Sequence, residues 1–153
     1  MKLATFRSSK GVSYGAVTDK GIVDLGERLG NRYSDLRALI TANAFDEARA
    51  LLKGPQDHKL SEITWLPVIP NPDKIVCVGL TYQHPVVETG RDNTEQPAIF
   101  LRVPESQVGH LQPIIRPKES THMDFEAEIA VIIGKPGRRI AQKDAWQHIA
   151  GYS

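Results

Sequence analysis

A chain of 153 residues with a formal charge of +1, 19 basic against 18 acidic side chains, gives no electrostatic ground for binding nucleic acid or an anionic membrane. Its 41% hydrophobic and 24% charged residues are an ordinary globular composition, and a chain this long buries roughly 70% of its unfolded surface without covalent staples. Cys77 is the only cysteine, no apolar run reaches the roughly 18 residues that cross a bilayer, and the start MKLATFRSSKG lacks a secretory pattern; the expectation is a soluble cytoplasmic protein.

Taken in chain order, KLATFR, VSYGAVT and GIVDLG are rich in β-formers and read as three strands, with Asp19-Lys20-Gly21 turning between the second and third. SDLRALITA reads as a helix with Ser34 as N-cap and Leu36, Leu39 and Ile40 on one stripe. FDEARALLKGP reads as a second helix, acidic at its start and stopped by Gly54-Pro55. In WLPVIPNPDK, Pro67, Pro70 and Pro72 remove three backbone donors, which predicts an extended connection and a domain boundary near residue 70. Residues 1–70 therefore read as a small α+β domain whose polar residues are those such a domain exposes.

Residues 71–153 read mostly as strand. KIVCVGL is apolar at both parities, predicting a strand covered on both faces with Cys77 as a small buried hydrophobe. PAIFLRV and PIIRP are strand-like, and DFEAEIAVII is the longest candidate. DAWQHIAGY reads as a short closing helix with Asp144 near its start.

The chemistry gathers in HMDFEAEIAVIIGK. Residues two apart on a strand share a face, so Asp124, Glu126 and Glu128 stand together, opposite Phe125, Ala127 and Ile129. Like charges at the mouth of an otherwise apolar strand repel, and a buried carboxylate is costly unless neutralised. The spacing admits two readings: a solvated acidic strand end, or oxygen donors converging on a hard divalent cation.

The order KIVCVGLTYQHPVVETG, PAIFLRVPESQVGHLQPIIRP, DFEAEIAVIIGKPGRRI, AWQHIAGYS resembles the fumarylacetoacetate hydrolase family over roughly residues 68–153. The resemblance implies an α+β protein: a small N-terminal α/β cap domain over 1–70, then the first part of a mixed β-sandwich roll over 71–153. It also implies a magnesium, manganese or calcium ion and a 2-oxo or 1,3-dicarbonyl acid as substrate. The expected reaction is hydrolysis of a carbon–carbon bond, with decarboxylation or isomerisation as variants on the same metal site and a homodimer as the assembly. The cation stabilises an enolate as a Lewis acid, and a histidine–glutamate pair activates water in the hydrolases.

Carried across, the metal ligands fall on Glu126 and Glu128, and the catalytic pair on His84 and Glu88. Tyr82 falls at a substrate-contacting position, and Arg102 at that of a basic residue near the substrate, either a bidentate partner for a carboxylate or an ordinary exposed strand arginine. Ser106, with Gln107 in the following loop, either donates to substrate oxygens or satisfies backbone and water. The pattern departs at Thr81, where an asparagine is usual, and at Pro85, where the family histidine is expected one residue after His84. His84 is thus either a displaced general-base partner or a surface histidine. His110 reads as structural, His122 as an exposed strand-start residue, and Lys135–Arg139 as a solvated turn, while His58 and His148 show no constellation. The family's third carboxylate is expected a few residues beyond Ser153. The chain is therefore expected to be a fragment, with a second copy or partner chain, or a non-catalytic member, as the alternatives.

Overall fold

The computed structural model describes residues 1–79 and 96–153. They gather into two compact units, Met1–Pro70 with Val108–Ser153, and Asn71–Gln107.

The first unit is built on a four-stranded antiparallel sheet of β1 (Lys2–Ser8), β2 (Gly11–Thr18), β3 (Gly21–Asp24) and β4 (Thr64–Trp65), in the order β3-β2-β1-β4. Two-residue turns set the register, which places Ser8 opposite Gly11 and Thr18 opposite Gly21. Gly21 has φ +146°, and a Cβ there would lie 2.4 Å from the His58 carbonyl oxygen. Both the left-handed backbone and the close approach require glycine.

Alternation then sorts the strands. Leu3, Tyr14, Ala16 and Val23 join the core with Leu25, Leu29, Leu36, Leu39, Ile40, Ala44 and Ala48 of the helical segment. The helices are α1 (Leu25–Leu29), α2 (Leu36–Thr41) and α3 (Phe45–Leu51). The tail of GIVDLG turns into α1, because the Asp24 side chain accepts from the Glu27 N–H and starts a helix there. Asp35, not Ser34, caps α2: its backbone is extended and its carboxylate accepts from the Ala38 N–H at 2.7 Å, three residues on.

The other face of the sheet carries Phe6 and Ile22, both fully buried, and Asp24, 3% exposed. The His58 ring stands edge-on to Phe6, and its Nε2 lies 3.1 Å from Asp24 Oδ2. Asp24 Oδ1 also accepts from Ser13 Oγ at 2.5 Å. The Asp24 N–H donates to Asp57 Oδ2, while Arg28 Nη2 donates to both Asp57 oxygens at 2.8 Å. Each buried oxygen thus has a donor, which offsets the cost of taking a carboxylate out of water.

The C-terminal stretch of this unit joins through Gly109, which is buried so closely that a Cβ would lie 2.0 Å from the Trp65 carbonyl oxygen. The neighbouring His110 ring packs edge-on to Trp65. Beyond it PIIRP is not a strand. Pro113 and Pro117 bracket it without backbone donors, and Ile115 is 90% exposed. β7 (Val131–Ile133) pairs antiparallel with β8 (Ile149–Tyr152), and Ile132 and Ala150 pack against the core. The expected closing helix is instead a 3₁₀ segment, Gln142–His148, running into β8, because residues 149–152 find a ladder partner in β7.

The second unit contains the antiparallel pair β5 (Ile75–Gly79) and β6 (Ala98–Arg102). The covering predicted for KIVCVGL is absent among the described residues. Val76 and Val78 are exposed and Cys77 is half-buried, as among the described residues this strand pair has no layer over either face.

Two outcomes are expected. Gly21→Ala is expected to lower the unfolding free energy by about 1–3 kcal/mol in urea titrations, through strain at positive φ and collision with the His58 carbonyl. For Asp57, burial alone would push the carboxyl up, but the Asp24 N–H and then the Arg28 guanidinium outweigh it and hold the group below its ordinary 3.8. The stability it contributes is full above that value and is lost as pH falls through the lower folded one. Asp57→Asn is expected to flatten the acid limb of a stability–pH profile.

Candidate functional site: an open carboxylate strand end and an arginine turn

Glu126 and Glu128 lie in the first unit and are exposed, as are Asp124 and His122. The long strand expected over 124–133 is ordered as a ladder only from its last third. Ala130 and Ser153 exchange N–H···O bonds of 2.9 Å in both directions, and Val131 stands opposite Tyr152. Ser153 thus faces Ala130, where this ladder begins. A strand is held by its neighbour's donors and acceptors, and residues 124–129 lie outside any ladder among the described residues. Asp124 is engaged locally, its Oδ1 accepting from the Phe125 N–H at 2.8 Å.

Among the described residues, no group of three or more His, Cys, Asp and Glu side chains is placed to hold a metal ion. Glu126 and Glu128 therefore fit a hard divalent cation in donor chemistry but not in number. They make no hydrogen bond to another described side chain or backbone group, so their oxygens remain available to an added ligand.

Arg102 ends β6 in the second unit, and the chain turns after it through a 3₁₀ segment, Pro104–Ser106. The Arg102 Nε donates to Ser106 Oγ at 3.1 Å and Nη2 donates to the Ser106 carbonyl at 2.9 Å. The structure thus brings together two of the expected substrate-contacting residues. Tyr82, His84 and Glu88 lie outside the described residues.

The reading of His58 as isolated is corrected: it meets Asp24, with Ser13 on the same carboxylate. No local motif signals this, since the three residues are far apart in sequence and come together through strand pairing. The trio has residue types of a nucleophilic triad but the wrong connectivity. Ser13 Oγ donates to Asp24 rather than to the histidine, so no base is aimed at the hydroxyl. A cavity of about 280 Å³ beside it is lined by Ser8, Lys10, Ser13, Asp24 and Glu27, and the Lys10 and Glu27 charges satisfy one another at 3.0 Å.

Comparison with known proteins settles the family. The model described as fumarylacetoacetate (FAA) hydrolase C-terminal matches residues 74–153, more than half of the chain. The chain belongs to the fumarylacetoacetate hydrolase family. Among curated relatives, "Oxaloacetate tautomerase fahd2, mitochondrial" of Xenopus laevis is 39% identical over 113 residues, which cover 72% of this chain and 35% of that protein. "Oxaloacetate tautomerase YisK" of Bacillus subtilis (strain 168) is 38% identical over 100 residues, covering 63% and 33%. A crystal structure from Mycobacterium smegmatis superposes with a TM-score of 0.75 at 23% identity, covering 99% of this chain and 53% of that one. The fold is therefore that of this neighbour, mixed α and β with antiparallel sheets. The chain spans about a third of the length of the curated relatives and about half of the structural neighbour.

Because both glutamates are exposed and outside the ladder, Glu126→Gln/Glu128→Gln is expected to leave the unfolding free energy within about 0.5 kcal/mol of wild type. A manganese titration followed by electron paramagnetic resonance is expected to show weak, roughly millimolar binding in the wild type, as suits a low ligand count, and none in the double variant.

Proposed function

We propose that this chain carries the cation- and carboxylate-handling part of a metal-dependent 2-oxo-acid enzyme, and that its reaction is the enol–keto interconversion of an oxaloacetate-like acid. One observation carries the choice: the relatives at 38–39% identity named above bear the name oxaloacetate tautomerase. In this reading residues 1–70 are a leading cap domain and residues 71–153 open the catalytic β-roll of a homodimeric protein.

Glu126 and Glu128 are the residues that hold the divalent cation. When bound, the cation supplies Lewis-acid stabilisation of the enolate common to tautomerisation and to carbon–carbon cleavage. Arg102 takes the substrate carboxylate through its guanidinium, Tyr82 contacts the substrate, and His84 with Glu88 moves the proton between carbon and oxygen.

The sequence around His84 supports tautomerisation over hydrolysis. Hydrolysis needs a base aimed at a water molecule, and here the family histidine position holds Pro85, with His84 one residue early. Tautomerisation consumes no water and asks only that one proton leave carbon while another reaches oxygen. A second reading, hydrolysis of an acylpyruvate, rests on the matched family description.

The discriminating experiment follows the enol absorbance of oxaloacetate and the cleavage of an acylpyruvate side by side, with magnesium or manganese present. Accelerated ketonisation that falls by about 100-fold or more in Glu126→Gln is the expected result. Glu126-dependent acylpyruvate cleavage without accelerated ketonisation would replace tautomerisation by hydrolysis. Failure of the folded chain to act on either acid would sink the catalytic reading for these 153 residues.

A further inference from the structure

We infer that Ser106 is a positioning residue: it holds the Arg102 guanidinium by its inner edge and so presents the outer edge to a substrate carboxylate. This rests on the assignment of Arg102 to the carboxylate under the proposed function, and it changes the expected role of Ser106 from direct contact to support.

A serine hydroxyl has one hydrogen to give. Ser106 gives it to the Val103 carbonyl at 2.7 Å, while its oxygen accepts from Arg102 Nε at 3.1 Å. The hydroxyl is therefore spent as a donor and has none for a substrate oxygen. The Ser106 carbonyl completes the grip by accepting from Arg102 Nη2 at 2.9 Å. Two parallel donors from one edge of a planar group onto one residue fix its plane as well as its position.

The turn itself is braced. Pro104 occupies its first position, the Ser106 N–H donates to Val103 O at 3.1 Å, and the Gln107 N–H donates to Pro104 O at 3.1 Å. Arg102 has five N–H hydrogens, and Ser106 takes one from Nε and one from Nη2. Nη1 and the second Nη2 hydrogen form the outer edge, and no other described residue accepts from them. Arg102 is exposed, so that edge faces no competing carboxylate among the described residues. An arginine whose plane is set in advance loses less freedom on taking a planar carboxylate than one free in solvent.

The test uses the full 153-residue chain labelled with ¹⁵N, with the Arg102 Nε–H resonance assigned by its loss in Arg102→Lys. Hydrogen exchange at Nε is expected to be about tenfold faster in Ser106→Ala than in wild type, and to return in Ser106→Thr, which keeps the hydroxyl. Oxalate, used as the carboxylate probe, is expected to bind about tenfold more weakly to Ser106→Ala, with affinity recovered by Ser106→Thr. A structural role alone would not restore oxalate affinity together with Nε protection. Equal Nε exchange in wild type and Ser106→Ala, or undiminished oxalate binding by Ser106→Ala, overturns this inference and leaves the role of Arg102 standing. Oxalate binding indifferent to Arg102→Lys overturns the carboxylate role itself, and the positioning role with it.

Discussion

Antiparallel backbone pairing is the constraint from which the remaining features follow. A buried N–H or carbonyl without a partner forfeits a hydrogen bond it had in water, so ordered backbone must find its donors and acceptors within the fold. β1 meets this on both sides, with β2 along its whole length and β4 at Phe6 and Arg7. The tight turns before Gly11 and Gly21 set that register, and the register alone puts Tyr14, Ala16 and Val23 against the helices. A slip of one residue would send each of them to the opposite face. The same constraint governs the C-terminal stretch, where the β7–β8 ladder carries the pairing to Ala130 opposite Ser153.

The carboxylates divide into two kinds by what the fold provides for them. Asp24 and Asp57 are supplied with internal donors: a serine hydroxyl, backbone N–H groups, a histidine and the Arg28 guanidinium. Their charge is used up in holding the segment around residues 57–58 to β3, which the Ile22–His58 bridge completes. Glu126 and Glu128 receive no such donors from the described residues and remain in solvent. A carboxylate already satisfied within the protein is structural, whereas one left open retains its capacity for a cation or a polar ligand. This distinction separates the Ser13–Asp24–His58 cluster, which has catalytic residue types, from the acidic stretch, which has an open coordination chemistry.

Arginine shows the same division. Arg28 spends its donors on Asp57 and on the Leu51 and Pro55 carbonyls, and becomes a brace. Arg102 spends one edge on Ser106 and keeps the other. A guanidinium gripped on one side and open on the other combines fixed direction with free capacity, the property that planar carboxylate recognition asks for. Under the proposed function the ligand is an oxo acid, and these local arrangements say which side chains among the described residues are placed to meet one.

Local signals alone made much of this protein legible. Alternating β-formers and the turn at Asp19-Lys20 mark β1 to β3, apolar spacing marks α2, and acidic residues followed by Gly54-Pro55 mark α3, because each depends on neighbours within a few residues. The family was legible too, through several spaced motifs in fixed order, as the match over residues 74–153 shows. Tertiary structure decided what depended on distant partners. Alternation in DFEAEIAVII cannot reveal whether a ladder exists to hold it, since pairing is a property of two segments. Helical spacing in DAWQHIAGY lost to a strand because β7 offered hydrogen bonds to residues 149–152. Nor could sequence join Ser13 to Asp24 and His58, or show that the Ser106 hydroxyl was already given to Val103. Residue types are written in the sequence, but which donor meets which acceptor is settled only when the chain closes on itself.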